Sequence, residues 1–592
     1  MCNVPVRFAV AVSLASTVAA AQQMMFWPVR GTREMVGAAN NMEVEAGFRV
    51  LMQGGNAVDA GVAATLAAAV TEQARFGLGG EMPLLVKMAG KAPEVVSGVG
   101  IAPAKATPEY YRARAAEPFE GSERFPPIPA NGIKAAITPG AFAGLMLALE
   151  RYGTLPFETV ATPAIEYAGG FPLMEEFAGF IRNNRRMIEM WPTSKAFFLP
   201  NGEPPQRGEL FRAPTLQNTL RELAQVEKKT RGNRVKKLRA VRDHFYSGKL
   251  AEKIAKFSEA NGGLITLEDL KNTKAEIDAP ALGTYRGYTI VKPGFWTQGP
   301  VMIQALNILE GFDLKAMGHN SPQYLHTVLE AVKLAFADRD RYYGDPKFSK
   351  IPAETLLSKE YASQRRAMIE PRASMEHRPG LFGAALKLPS GGNGGDSSGV
   401  QDTTSVNVVD RWGNVYSATP SGAWLPSVIA GDTGVPYSTR LQSFVMEPGH
   451  PNLLQPGKRP RVTLSPTMVL KDGKPWLAMS TPGGDNQDQA MLQVLLNLID
   501  FGMVPQEAVE APRFQTEHFY SSFAFHEFTP GRVNLERRIA PATIEKLKEL
   551  GHAVEVRGEW SNGSAPVAIM IRPDGVLDGA ADPRRGRFIF GR

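Results

Sequence analysis

The stretch that most restricts what this chain can build runs from Thr403 to Thr419. It holds two apolar runs, 406–409 and 415–418, separated by Asp410-Arg411-Trp412-Gly413-Asn414. That spacing predicts a β-hairpin with a longer loop. Upstream lies Pro389-Ser390-Gly391-Gly392-Asn393-Gly394-Gly395-Asp396-Ser397-Ser398-Gly399, a polar, Gly-rich segment that cannot hold regular structure. A Thr therefore sits where a cleavable approach meets a buried strand. If the bond before Thr403 breaks, its hydroxyl becomes a nucleophile. The freed α-amine of the same residue can then serve as the base.

At 592 residues the chain exceeds one ordinary core, which predicts two or more domains or one large layered one. Apolar content of 43% and charged content of 21% are globular values. The net charge of +7 gathers partly in 227–239, but no aromatic residue interleaves that run. It reads as a solvated surface insertion, and no nucleic-acid partner is expected. The single cysteine, Cys2, excludes an intrachain disulfide and cysteine-based metal or thiol chemistry. Residues 1–21 read as a signal peptide. Arg7 precedes the apolar stretch Phe8 to Ala20, and Ala19-Ala20-Ala21 offers small residues for cleavage. The expected destination is the periplasm or the exterior. No later run is long and apolar enough for a membrane span.

Helical spacing appears over Asn41 to Leu51 and Asn56 to Val70, with Asn56 as N-cap and Asp59 in the first turn. Phe76-Gly77-Leu78-Gly79-Gly80-Glu81 then leads into a strand, Met82 to Met88. Its glycines either let backbone approach a site closely or make a tight turn only. Residues 140–260 read as mostly helical, 284–291 as a strand, and Val301 to Leu309 and Ser321 to Tyr342 as helices. Strands resume over 403–500, with a helix from Asp488 to Asp500. The tail alternates a helix, Pro541 to Leu550, with strands at 553–557 and 566–572. Helices outside two mixed sheets make a consistent layer pattern.

Several motifs weigh little. Gly395-Asp396-Ser397-Ser398-Gly399 fits G-x-S-x-G but lacks the strand-turn-helix context of a nucleophile elbow. There is no phosphate-binding loop and no H-E-x-x-H, so no cofactor and no metal are expected. His319 and His326 flank a helix start and read as surface or capping residues. Asp338, Asp340 and Asp345 alternate with arginines and read as a structural ion-pair cluster. Ser480-Thr481-Pro482-Gly483-Gly484-Asp485 follows a strand and precedes a helix. Its adjacent glycines can turn two N–H groups toward one point, as an oxyanion hole requires.

Taken in order, these pieces resemble the γ-glutamyltransferases of the N-terminal-nucleophile hydrolases. The resemblance rests on Gly54-Gly55-Asn56-Ala57-Val58-Asp59-Ala60, Ala102-Pro103-Ala104-Lys105-Ala106, Gly262-Gly263-Leu264-Ile265-Thr266, Gly283-Thr284-Tyr285-Arg286-Gly287-Tyr288, the Thr403-Thr404 strand, Ser465-Pro466-Thr467 and Pro482-Gly483-Gly484. It implies an α+β fold, a four-layer αββα sandwich. It implies one precursor cut between Asp402 and Thr403 into a large subunit, 22–402, and a small one, 403–592. Thr403 would be the nucleophile, Thr419 and Ser421 its supporting hydroxyls, and Gly483 and Gly484 the oxyanion hole. The substrate would be a small amide, with an amine or water as acceptor.

The chain departs from the family at the substrate grip. The family's carboxylate-clamping Arg falls at Val99, and its amine-binding Asp falls at Ser443. Its paired serines fall at Val462 and Thr463, and a Gln falls at Arg440. Val cannot make a bidentate carboxylate clamp. The stretch from Pro451 to Arg459 is short, so the lid loop of many members is expected to be absent. The leading expectation is a self-processing amidohydrolase or acyltransferase with an altered acyl pocket. A γ-glutamyltransferase with a different head-group grip and an inactive secreted binding protein are the alternatives.

Overall fold

The structure, a computed structural model, describes residues 24–120, 125–380 and 402–592. The signal-peptide reading of 1–21 and the Gly-rich run 389–399, with its G-x-S-x-G, lie outside the described residues.

The hairpin forms as its spacing predicts, with strands Val406–Val409 and Val415–Ala418 paired antiparallel. Asp410 closes the turn. Its Oδ1 accepts the N–H groups of Trp412 and Asn414, both at 2.9 Å, and Gly413 supplies the positive φ of 81°. Asp410 Oδ2 also accepts the Ala57 N–H at 2.8 Å, at the start of helix Ala57–Thr71. A carboxylate there satisfies a free helix donor and faces the positive end of the helix dipole.

That helix is buried on every side, which its Ala-rich sequence permits. Asn56 caps it and Asp59 completes a capping box. A Cβ at Gly61 would lie 2.4 Å from the Tyr416 ring, so glycine is what lets helix and hairpin close on each other.

Around the hairpin two seven-stranded sheets assemble, and every pairing in both is antiparallel. One has the order Phe588–Gly591, Met35–Ala38, Val406–Val409, Val415–Ala418, Leu84–Lys87, Glu94–Val96, Ile277–Asp278. The other has the order Val29–Gly31, Leu577–Ala581, Val567–Ile571, Lys474–Ser480, Thr467–Lys471, Tyr288–Lys292, Ala281–Tyr285.

Alternation sorts the side chains into layers. Val406, Val408 and Tyr416 face helices such as Ala57–Thr71. Val409 and Val415 face the second sheet, packing with Met468, Ala478 and Ile569. Val469, Leu477 and Met479 turn outward to helices Pro300–Leu309, Pro322–Tyr342 and Gln487–Ile499. The result is the four-layer αββα sandwich. Asn407, buried between the sheets, donates to Ser480 Oγ at 2.8 Å and to Val567 O at 3.1 Å, so the polar group is paired across the interface.

Some expectations need correction. Residues 284–291 are not one strand but a hairpin, Ala281–Tyr285 with Tyr288–Lys292. Arg286 and Gly287 turn it with φ of 46° and 81°, and an arginine at positive φ carries no local signal. The basic run 227–239 forms the end of helix Pro214–Lys229 and the start of Arg234–Ser247. Lys228, Lys229 and Arg231 are exposed, while Leu238 packs inward. His326 is neither surface nor cap: it lies buried in helix Pro322–Tyr342. The acidic cluster is an ion-pair centre as expected, with Asp340 on Arg339, Asp338 near Arg365 and Asp345 on Arg459. Among the described residues no helix is long and apolar enough to cross a membrane.

Candidate active site

Thr403 lies just before strand Val406–Val409 and bridges antiparallel to Ser421, which follows the second strand of the hairpin. Both are buried. Thr403 Oγ1 and Ser421 Oγ are 3.1 Å apart. Ser421 Oγ–H donates to the Asp402 carbonyl oxygen at 2.9 Å and receives Arg440 Nη2–H at 3.1 Å. With its proton so committed, Ser421 can only accept from Thr403, and the Thr403 hydroxyl is the donor. The indole N–H of Trp424 also reaches the Asp402 carbonyl oxygen. The peptide bond before Thr403 thus has two donors on its oxygen and a hydroxyl beside its carbon. Thr404 is different: its hydroxyl is buried with no partner among the described residues.

Asp402 is held as tightly. Its Oδ1 accepts the Thr403 N–H at 2.8 Å, its Oδ2 accepts Arg75 Nε at 2.7 Å, and Arg585 Nη1 pairs with the same oxygen. Burial alone would raise this carboxyl, but Arg585 and Arg75 hold it below its ordinary value.

The glycines of Gly77–Gly80 let the chain approach this point. A Cβ on Gly80 would fall 2.1 Å from Ser421 O, and Glu81 exchanges both backbone bonds with Ser421 at 2.9 Å. The close-approach reading of that run therefore holds. The Glu81 carboxylate pairs with Arg440 Nε and accepts Ser438 Oγ–H at 3.2 Å.

Arg440 and Glu81 are both fully buried, so this is no surface salt bridge. Burial pushes the Arg440 pKa down, with Glu81 opposing. The guanidinium lies over the Trp424 ring, 4.3 Å from its centroid. Its Nη1 has no hydrogen-bond partner among the described residues. Arg440 begins a 3₁₀ turn, Arg440–Ser443. Residues three apart eclipse in such a turn, so Ser443 shares its face. The Ser443 hydroxyl is also buried and unpartnered.

Gly483 and Gly484 follow strand Lys474–Ser480, with φ of 122° and 53°. A Cβ on Gly483 would fall 2.2 Å from Ser564 Oγ, and one on Gly484 would press the Phe523 ring at 3.1 Å. Phe523 packs edge-on against Trp424, which connects the loop to Ser421. Behind it, Asp485 accepts the Ser522 N–H at 2.9 Å and Oγ–H at 2.6 Å and pairs with Arg339. Among the described residues neither glycine N–H donates within the protein.

Other expected residues stand further off. The Thr419 and Thr463 hydroxyls are buried without partners among the described residues. Val99 packs in the inter-sheet apolar cluster with Leu441, Phe444 and Val462. Sequence reasoning missed Glu81, Trp424, Phe523, Arg75 and Arg585. Only Glu81 carried a signal, the glycine run before it.

One cluster outside the site has metal-ligand chemistry: His326, Glu330 and His552. The Glu330 oxygens are already taken by Lys333 at 2.7 Å and Arg378 at 2.9 Å. His326 Nδ1 and His552 Nε2 pair at 2.9 Å. Two cations on the one carboxylate make this an ion-pair centre rather than a cation site.

A family profile described as gamma-glutamyltranspeptidase matches residues 44–591. A glutathione hydrolase proenzyme of Escherichia coli (strain K12) is 33% identical over 581 residues, covering 95% of this chain and 92% of that protein. An acylase ACY 1 proenzyme of Pseudomonas sp. (strain SE83) is 35% identical over 558 residues, covering 94% and 92%. The crystal structure of a cephalosporin acylase from Bacillus halodurans superposes with a TM-score of 0.83 at 28% identity, covering 98% of this chain and 99% of that one.

Proposed function

We propose how this chain, which belongs to the gamma-glutamyltranspeptidase family of amide-hydrolysing and acyl-transferring enzymes, makes and uses its nucleophile: Thr403 cuts the bond that precedes it and then carries the acyl group. The observation that carries the reading is the hydrogen-bonded set Thr403–Ser421–Asp402 O, with Trp424 as second donor.

In the precursor Thr403 Oγ attacks the Asp402 carbonyl carbon. The new C–O bond forms, and the charge on the Asp402 oxygen meets Ser421 and Trp424. The hydroxyl proton ends on the departing Thr403 nitrogen as the C–N bond breaks, while Ser421 keeps its own proton on the Asp402 oxygen. Water then hydrolyses the resulting ester and leaves Asp402 with a carboxylate and Thr403 with a free α-amine. In turnover that amine takes the Oγ proton. Thr403 attacks the substrate amide, and the Gly483 and Gly484 N–H groups receive the oxyanion. The amine product departs protonated, and water or an amine acceptor removes the acyl group. An N-terminal apolar stretch supports a periplasmic or secreted site of action.

The acyl group in this reading lacks a free amino-acid end. Val99 in an apolar cluster offers nothing to an α-carboxylate, and Ser443 carries no charge for an α-amine. A hydrogen bond to a charged group is worth about 1.5–3 kcal/mol, so losing two weakens a γ-glutamyl donor by roughly 10² to 10⁴. Arg440 Nη1, unpartnered among the described residues, is the donor that would meet one carboxylate, as on a glutaryl group. Two relatives named as acylases agree with this.

The test compares kcat/KM for γ-glutamyl-, glutaryl- and butyryl-p-nitroanilide. Glutaryl or butyryl should exceed γ-glutamyl. A γ-glutamyl advantage of about tenfold or more would instead establish a γ-glutamyltransferase with a different grip, as the glutathione hydrolase relative allows.

A further inference from the structure

The strongest group around the site that turnover does not use is the carboxylate of Asp402. It is nearly fully buried, and it touches the scissile bond at its nitrogen rather than its oxygen. Two arginines grip it from opposite ends of the chain. Arg75 follows the first buried helix, and Arg585 precedes the last strand, Phe588–Gly591. Arg75 is itself fixed by Glu72 at 2.7 Å and Glu176 at 2.6 Å.

We propose that Asp402 is the positioning residue of self-cleavage, its carboxylate clamped between Arg75 and Arg585 so that the scissile N–H is held and the carbonyl carbon is presented to Thr403 Oγ. This rests on the reading that Thr403 cuts its own bond.

The chemistry favours positioning over proton transfer. A carboxylate shared by two guanidinium groups is a poor base. Anchoring side chain, N–H and carbonyl oxygen together removes rotation about the bonds that flank the reacting carbon. The clamp also spans the chain. It closes only when the segment bearing Arg585 has docked beside Arg75, so cleavage waits for both parts to fold together. After cleavage the same carboxylate would face the new Thr403 ammonium, and an ammonium so paired cannot act as base.

The experiment follows the uncut full-length precursor after a pulse of labelled in vitro translation and reads the appearance of the small fragment. Asp402→Asn and Arg585→Met should slow cleavage by roughly tenfold to a hundredfold, and Arg585→Lys should recover part of the rate. The Arg585 side chain is 22% exposed, which favours folding of its variants. The thermal midpoint of each, measured in a Thr403→Ala background, reports whether it has folded. If Arg585→Met does not fold, Asp402→Asn decides.

A merely structural role would shift the thermal midpoint with pH but leave the cleavage rate of the folded protein unchanged. The charged groups facing Asp402 are Arg585, Arg75 and Arg587, with Glu72 and Glu176 behind Arg75. Wild-type cleavage should fall as pH drops below the ordinary carboxylate range, and Asp402→Asn should lack that limb. Folded Asp402→Asn or Arg585→Met cleaving within about twofold of wild type overturns the clamp. Cleavage of the Thr403→Ala precursor overturns the Thr403 reading itself, a separate outcome.

Discussion

At Thr403 the chemistry depends on which hydroxyl has a partner. Two threonines in a row offer themselves, and only the first touches Ser421. Ser421 is in turn oriented by Arg440, and Arg440 by Glu81, so a fully buried ion pair stands behind Thr403. Removing one partner of such a pair leaves an uncompensated charge and costs about 3–5 kcal/mol. Arg440→Gln and Glu81→Gln should each lower stability by that amount in urea titrations. The double variant should regain at least half of the summed loss. Strict additivity of the two losses would deny that the groups are coupled. Thr403 as the proposed nucleophile was legible in the sequence because a Gly-rich approach and an alternating strand meet there. Arg75 and Arg585 were not, because each lies more than a hundred residues away and reaches Asp402 only through the fold, and Glu81 showed only through the glycine run before it.

At the scale of elements, the hairpin meets strand Lys474–Ser480, which leads into the Gly483–Gly484 loop, across the interface between the sheets. Gly484 sits at φ 53°, with the Phe523 ring where a Cβ would fall. Gly484→Ala adds a Cβ 3.1 Å from that ring at a backbone angle side chains rarely adopt. The loop must shift, and loss of one oxyanion donor costs roughly 10² to 10³ in kcat. The variant should keep its fold, process, and lose activity in kcat rather than KM. A loss confined to KM would place the loop outside the oxyanion hole.

Elements with strong periodicity were readable from sequence: both early helices, the hairpin, and helix Pro541–Glu549. The short strands Val29–Gly31, Glu94–Val96 and Ile277–Asp278 were not, since two or three residues show no period. The turn at Arg286-Gly287 hid a hairpin inside an apparently continuous strand.

For the molecule as a whole, cutting at Asp402–Thr403 severs the chain without separating the layers. Val406–Val409 lies between Met35–Ala38 and Val415–Ala418, and Val415–Ala418 beside Leu84–Lys87. In the other sheet Thr467–Lys471 pairs with Tyr288–Lys292. Each sheet therefore mixes strands from both sides of the cut. The two fragments should co-elute on gel filtration at the precursor's size and part only in denaturant. Fragments that separate in native buffer would contradict the interleaved sheets.

Whether Thr403 frees its own α-amine is read by N-terminal sequencing of the smaller band from purified protein on a denaturing gel, beside Thr403→Ala. Wild type should give Thr-Thr-Ser-Val, and Thr403→Ala should remain uncut and inactive. A different N-terminus, an active uncut wild type, or normal cutting of Thr403→Ala would contradict it.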